Sequence, residues 1–203
     1  MNVAGAILAG GGATRFGGAP KGLETVGGER IVDRLAKMLA DALGAPPLLV
    51  ANAPDSESWN TGLTIVRDVV PGAGALSGFH AALSAAGTAV MCVAWDMPFV
   101  PSALARALAA GLAGADVSIP ASDGRRGLEP LCAAYGPACL PAIEARIAAG
   151  DRRAIAFHSD VSVSILSIDR VRAFGDPELL FFNVNTADDL TRAEELWRRA
   201  SSP

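Results

Sequence analysis

"VAGAILAGGGATRFGGAPKG", residues 3–22, joins a short apolar run to a loop that carries six glycines within residues 8–22 and charge only at Arg15 and Lys21. Apolar residues in so short a run, bounded by glycine, read as a β-strand covered on both faces. "PLLVANA" (47–53), "TIVRD" (64–68) and "AVMCVAW" (89–95) read the same way. Between them the period lengthens. "RIVDRLAKMLADAL" (30–43) sets Ile31, Leu35, Leu39 and Leu43 at four-residue spacing and stops at Gly44 and Pro46, as a helix does. "GFHAALSAAG" (78–87), "ALARALAAGL" (103–112) and "AIEARIAAG" (142–150) are helical patterns too. In "ADDLTRAEELWRRA" (187–200), Thr186 is a candidate N-cap, and Leu190, Glu194 and Trp197 fall near one helical face. Strands alternating with helices predict one α/β domain over residues 1–203, Rossmann-like, with a mostly parallel central sheet flanked by helices.

Composition narrows the function classes. The chain has 203 residues, 51% of them hydrophobic, and a net charge of −4, which suits a compact domain and argues against nucleic acid as a partner. No apolar run nears the roughly 20 residues that cross a bilayer, and no basic, cleavable leader opens the sequence, so no membrane contact and a cytoplasmic location are expected. Cys92, Cys132 and Cys139 form no C-x-x-C pair, and His80 and His158 stand far apart. Free buried thiols without zinc follow. The histidines and tryptophans read as packing or surface residues, with neither histidine beside a candidate motif.

The glycine loop sits where open α/β sheets bind ligands, at a strand's carboxyl end. Glycines bare the backbone N–H groups and permit positive φ, so the loop can wrap an anion, phosphate above all. Two common phosphate loops do not fit. A G-x-G-x-x-G fingerprint begun at Gly10 meets Arg15 at its third glycine, and a Walker A motif needs Gly-Lys-Ser/Thr where this chain has Lys21-Gly22. Asp96 ends the apolar run 89–95, where a carboxylate is costly without a partner. Mg²⁺ is one partner and a helix N-cap before "PSALARAL" the other, although Ser102 lies nearer that start.

"LAGGGATRFGGAPKGL" fits L-A-G-G-x-x-x-R-[MF]-G followed by a lysine and Gly-Leu. It resembles the signature of the sugar-nucleotide-type nucleotidyltransferases, and most closely that of the molybdenum cofactor guanylyltransferases. "VAN" ending at Asn52, "RDVVPGAGALSG" with Asp68, "AWDMPFVP" with Asp96, "GDRRAIAF" and "FFNVNTADDL" extend the resemblance from residue 3 to about 190. The chain departs from the family pattern at Ala13 and Pro20, where a serine and an acidic residue are usual.

The resemblance implies a GT-A-like nucleotidyltransferase fold and transfer of GMP from GTP to the phosphate of molybdopterin, with Mg²⁺ and release of pyrophosphate. Transient contact with molybdenum cofactor biosynthesis proteins or molybdoenzymes is also implied. Leu8, Ala9, Gly10, Gly11, Lys21, Asn52, Asp68 and Asp96 then hold the nucleotide. Arg15, Lys21 and Asp96 serve catalysis, and Asp96 holds the metal. Asp68 either reads the adjacent N–H donors of guanine or starts the turn "VVPGAG". Asn183 and Asn185 alternate along "FFNVN" as on one face of a strand, and contact the acceptor, complete the metal shell or only close a strand end. Arg152 and Arg153 attract an anionic acceptor or are solvated. The rivals are a transferase using CTP or another phosphorylated acceptor, and a non-catalytic nucleotide-binding module that delivers molybdenum cofactor. Related cytidylyltransferases typically carry Ala at the position of Gly10.

Overall fold

The structure is a computed structural model that describes residues 2–10, 20–70, 72–124 and 127–201. Its centre is β1 (Val3–Ala9), flanked by β4 (Leu48–Ala51) and β6 (Ala89–Ala94), both parallel to it. β5 (Thr64–Val66) pairs in parallel outside β4. On the other side β8 (Cys132–Tyr135) runs antiparallel to β6, β7 (Val117–Pro120) antiparallel to β8, and β9 (Val163–Leu166) parallel to β7. The order is thus β5-β4-β1-β6-β8-β7-β9, with a separate two-stranded ribbon of β2 (Thr25–Val26) and β3 (Glu29–Arg30). The sheet is mostly parallel, as the alternation predicts. The antiparallel β8 is an addition to that reading, and three strands end short of it: Asn52, Asp68 and Trp95 lie just past the ladder.

Helices cover both faces. Along β1, Ile7 and Ala9 enter one core cluster while Ala6 and Leu8 enter the other, because successive side chains leave a strand on opposite faces. α1 (Ile31–Leu43), α3 (Ser102–Gly111) and α7 (Ala187–Ser201) pack on the first face. α2 (Ala75–Ala86) and α4 (Cys139–Ala148) pack on the second. α5 (Ile168–Arg172) and α6 (Pro177–Leu180) are short connectors. Ile31, Leu35 and Leu39 are wholly buried, each stabilising the fold by about 1.5–3 kcal/mol relative to exposure. Gly44 ends α1 in the left-handed region at φ 81°. The cysteines are free and buried. Among the described residues no helix is long and apolar enough to cross a membrane.

α7 clamps the β2–β3 ribbon. Glu194 accepts a hydrogen bond from Gly27 N at 2.9 Å, and the Trp197 ring lies so close to Gly27 that any side chain there would overlap it. Arg34 joins the clamp, its guanidinium 3.9 Å from the Trp197 ring centre and donating to Val26 O at 2.6 Å.

The strand order fixes where a ligand can go. From β1 the chain moves outward to β4 and β5, then returns across β1 to β6, so the connections diverge between β1 and β6. A crevice opens at the carboxyl ends of strands at such a switch point.

Candidate functional site

A cavity of about 390 Å³ occupies that crevice. The carboxyl ends of four parallel strands supply its floor: Asp68 after β5, Asn52 after β4, Gly10 after β1 and Asp96 after β6. Leu8, Val50 and Ala94 add apolar wall, Leu131 closes the side next to β8, and Gly72, Gly74, Ala75 and Gly78 bring in the start of α2. Among the described residues no atom lies within 4 Å of where a Cβ of Gly10 would stand, so its missing methyl adds space to the cavity that it lines. Ala9 is buried at the end of β1 and does not line the cavity. Gly11 and Arg15 lie outside the described residues.

Asp96 is half-buried, but its Oδ1 is out of solvent and has no hydrogen-bond partner among the described residues. Burial holds its carboxyl above the usual range, although the Lys21 charge nearby pulls the other way. Asp96 does not cap α3, whose N-cap is Pro101. Lys21 is 8% exposed and sits in a 3-10 turn over residues 21–23, with Nζ donating to Asn185 Oδ1 at 2.7 Å. Beside it, Gly22 lies flat against the Trp95 indole, and a Cβ there would overlap the ring. Trp95 in turn stacks on Trp59, with ring centres 5.3 Å apart.

Asn185 is fixed by the helix that follows it. Thr186 Oγ1 accepts from Asp189 N at 3.1 Å, and Asp189 Oδ2 accepts from Thr186 N and Asn185 N, a reciprocal cap at the start of α7. Val184 N donates to the Asp96 carbonyl at 2.9 Å. The segment 184–186 is therefore strapped under Lys21 and Asp96 together. It is not a strand, contrary to the reading of "FFNVN", because its backbone groups bond to the β6 end and to the cap in place of a ladder. The two asparagines accordingly part company: Asn183 donates to Phe181 O at 2.8 Å and lines a different cavity, with Ser122, Glu129 and Phe182.

Asp68 and Asn52 do share one rim. Asn52 Oδ1 accepts from Asp68 N at 2.8 Å, and Asp68 Oδ1 is buried without a partner among the described residues. Burial raises its pKa, while the Asn52 side chain and the charge of His80 lower it. His80 lies on α2, whose first turns wall the cavity, but does not itself line it, and its ring pairs with Glu144 on α4 at 3.1 Å. A second cavity of about 610 Å³ adjoins the first through Ala75 and Leu131. Arg152, Arg153, Leu128 and Ile155 line it. Arg153 is held by Asp151 at 2.6 Å, whereas exposed Arg152 has no ionic partner among the described residues. Among the described residues no three His, Cys, Asp or Glu side chains cluster as a metal cage. A single carboxylate facing phosphate oxygens is the other way Mg²⁺ is held.

A family model described as "MobA-like NTP transferase domain" matches residues 5–162. The chain belongs to the MobA-like NTP transferases. A "Probable molybdenum cofactor guanylyltransferase" of Pelotomaculum thermopropionicum is 38% identical over 196 residues, covering 95% of this chain and 92% of that protein. The "Molybdenum cofactor guanylyltransferase" of Desulfosudis oleivorans is 35% identical over 199 residues, with 95% and 94% covered. Among solved structures, the molybdopterin-guanine dinucleotide biosynthesis protein A of Archaeoglobus fulgidus superposes with a TM-score of 0.81 at 27% identity, covering 97% of this chain and all of the other. The glycine loop, Asn52, Asp68 and Asp96 belong to the matched segment, whereas Asn185 and its strap lie beyond it.

Proposed function

We propose that this MobA-like transferase moves GMP from GTP to the phosphate of molybdopterin, releases pyrophosphate and works in the cytoplasm. One observation supports the reading: Asp68 and Asp96 line a single cavity, and each presents a buried carboxylate oxygen with no partner among the described residues. They end strands three ladder steps apart, roughly 14 Å at about 4.8 Å per step, which suits a base edge at one end and phosphates at the other. Native proteins leave few buried polar atoms unpaired, so two in one cavity point to a ligand that supplies both partners.

Asp68 accepts the adjacent N1–H and N2 donors of guanine, a pair that cytosine lacks. Gly10 leaves room for a purine against the β1 end. Mg²⁺ fits at the free Asp96 oxygen, where the chemistry it supplies is neutralisation of phosphate charge. Lys21, oriented by Asn185, keeps a fixed positive charge beside Asp96, where negative charge develops on the leaving pyrophosphate. No general base is needed. A phosphate monoester has a second pKa of about 6 and is already ionised at neutral pH. The adjoining cavity takes the acceptor, with Arg152 drawing its phosphate inward.

The test is pyrophosphate release with a panel of GTP, CTP, ATP and UTP and a phosphate-bearing pterin as acceptor. Release that needs GTP, acceptor and Mg²⁺ together is expected. Equal use of CTP defeats the guanylyl assignment, and tight binding of GTP without turnover favours a carrier module instead.

A further inference from the structure

Asp189 is the third residue of α7 and lines neither the nucleotide cavity nor its neighbour. In an ordinary capping box the side chain at this position returns one hydrogen bond, to the N–H of the N-cap residue. Asp189 returns two from a single oxygen. Its Oδ2 accepts from Thr186 N at 2.9 Å and from Asn185 N at 3.0 Å, while its own N–H donates to Thr186 Oγ1 at 3.1 Å. Among the described residues no cation pairs with it, so its side-chain bonds all close this turn.

The bond to Asn185 is the one that a helix does not need. Asn185 precedes the N-cap, and the orphan N–H groups of a helix begin after it. What needs fixing there is the side chain, whose Oδ1 accepts from Lys21 Nζ at 2.7 Å. An asparagine aims its amide only as well as its own backbone is held. Val184 N donates to Asp96 O at 2.9 Å on one side, and Asp189 takes Asn185 N on the other. Lys21 depends on that aim. Its backbone is set by the turn at residues 21–23, where Leu23 N donates to Pro20 O and Glu24 N to Lys21 O, but an ammonium on a flexible four-carbon stem goes where its partner places it. An acid set directly on Lys21 would cancel the charge that phosphates need. A neutral amide aims the charge without cancelling it, and the acid stands one step back, where its hydrogen bonds to backbone N–H groups are about twice as strong as neutral ones.

We infer that Asp189 is a positioning residue for the transfer step: its carboxylate fixes Asn185, and Asn185 aims the Lys21 ammonium at the leaving phosphates. The inference rests on the assignment of Lys21 to the leaving pyrophosphate. Asp189 itself touches neither nucleotide nor acceptor.

The experiment is a double-mutant cycle on kcat, read as pyrophosphate release with saturating GTP, Mg²⁺ and a phosphate-bearing pterin. A misplacement of about 1 Å can cost 10²-fold in rate, and Asn185 keeps its other anchor, so Asp189→Ala lowers kcat by about tenfold and raises KM for GTP by less. Added to Lys21→Ala, the same substitution lowers kcat by less than about twofold, because the group that it positions is gone. Asp189→Asn keeps an oxygen acceptor and loses the charge; it lowers kcat by about threefold, and takes its place in the cycle if circular dichroism finds Asp189→Ala unfolded. A cap that is merely structural slows both backgrounds alike. An equal fall with and without Lys21, or a folded Asp189→Ala that keeps the original kcat, overturns the role of Asp189. If Lys21→Ala itself turns over normally, the assignment of the lysine fails and this inference with it.

Discussion

Replacing Asp96 by asparagine should make the ligand-free protein more stable and the liganded protein less so. Burying a polar group without a partner costs about 1–3 kcal/mol, and Asp96 Oδ1 is such a group with a charge on it. The nearby Lys21 offsets part of the cost, but burial outweighs it, because the carboxyl is held above its usual range. Asp96→Asn keeps the shape and removes the charge, a net gain on the order of 1 kcal/mol and, at this chain length, about 2–4 °C in Tm. The sign with pH follows. A carboxylate with a raised folded-state pKa binds its proton more tightly in the folded chain, so the unmodified protein without ligand gains stability as pH falls from that raised pKa toward the unfolded value near 4, and the variant does not. With Mg²⁺ and GTP at about 100 times Kd, the unmodified protein gains about 2.7 kcal/mol, roughly 5–10 °C, most of which the variant forfeits. Scanning calorimetry with and without Mg²⁺ and GTP should therefore show the order of the two melting temperatures reverse. A variant that melts lower without ligand, or that keeps the full shift with Mg²⁺ and GTP, refutes the argument.

Three further outcomes are expected. Lys21→Ala should lower turnover by about 10²-fold or more while circular dichroism reports an intact fold, and near-normal turnover would remove the lysine from the mechanism. Asp68→Ala should erode the preference for GTP over CTP, measured by competition, more than it lowers the rate with saturating GTP, since it removes a paired acceptor from a closed site. Gly22→Val should drive a side chain into the Trp95 ring and cost about 1–3 kcal/mol in urea unfolding, with a parallel fall in kcat as Lys21 is displaced; wild-type stability would mean the indole gives way freely.

The parallel side of the sheet, β5-β4-β1-β6, was legible because its strands are short apolar runs, with Asp68, Asn52, Gly10 and Asp96 just past their carboxyl ends. β7, β8 and β9 were not. "VSIP", "CAAY" and "VSIL" are four residues each, and two of them lie among polar or proline-bearing neighbours that carry no period. Asn52, Asp68 and Asp96 could be placed on one rim because strand ends in a parallel sheet share an edge whatever the loops do. Asn183 and Asn185 could not, since alternation along the chain predicts a shared face only inside a ladder, and the backbone of Val184 and Asn185 is claimed by Asp96 and by the α7 cap.

The bond from Lys21 to Asn185 spans 164 residues of chain. During synthesis the sheet strands β1, β4, β5 and β6 are all translated before residue 95, so a nucleotide-shaped crevice can form early on the ribosome. Its lysine, however, stays unaimed until the segment carrying Val184, Asn185 and the α7 cap has been made. A prematurely released chain would thus hold the crevice with Lys21 untethered. Activity in this architecture reports that translation has reached the last helix, and a nick or truncation just ahead of residue 184 should silence the enzyme while leaving most of its core able to fold.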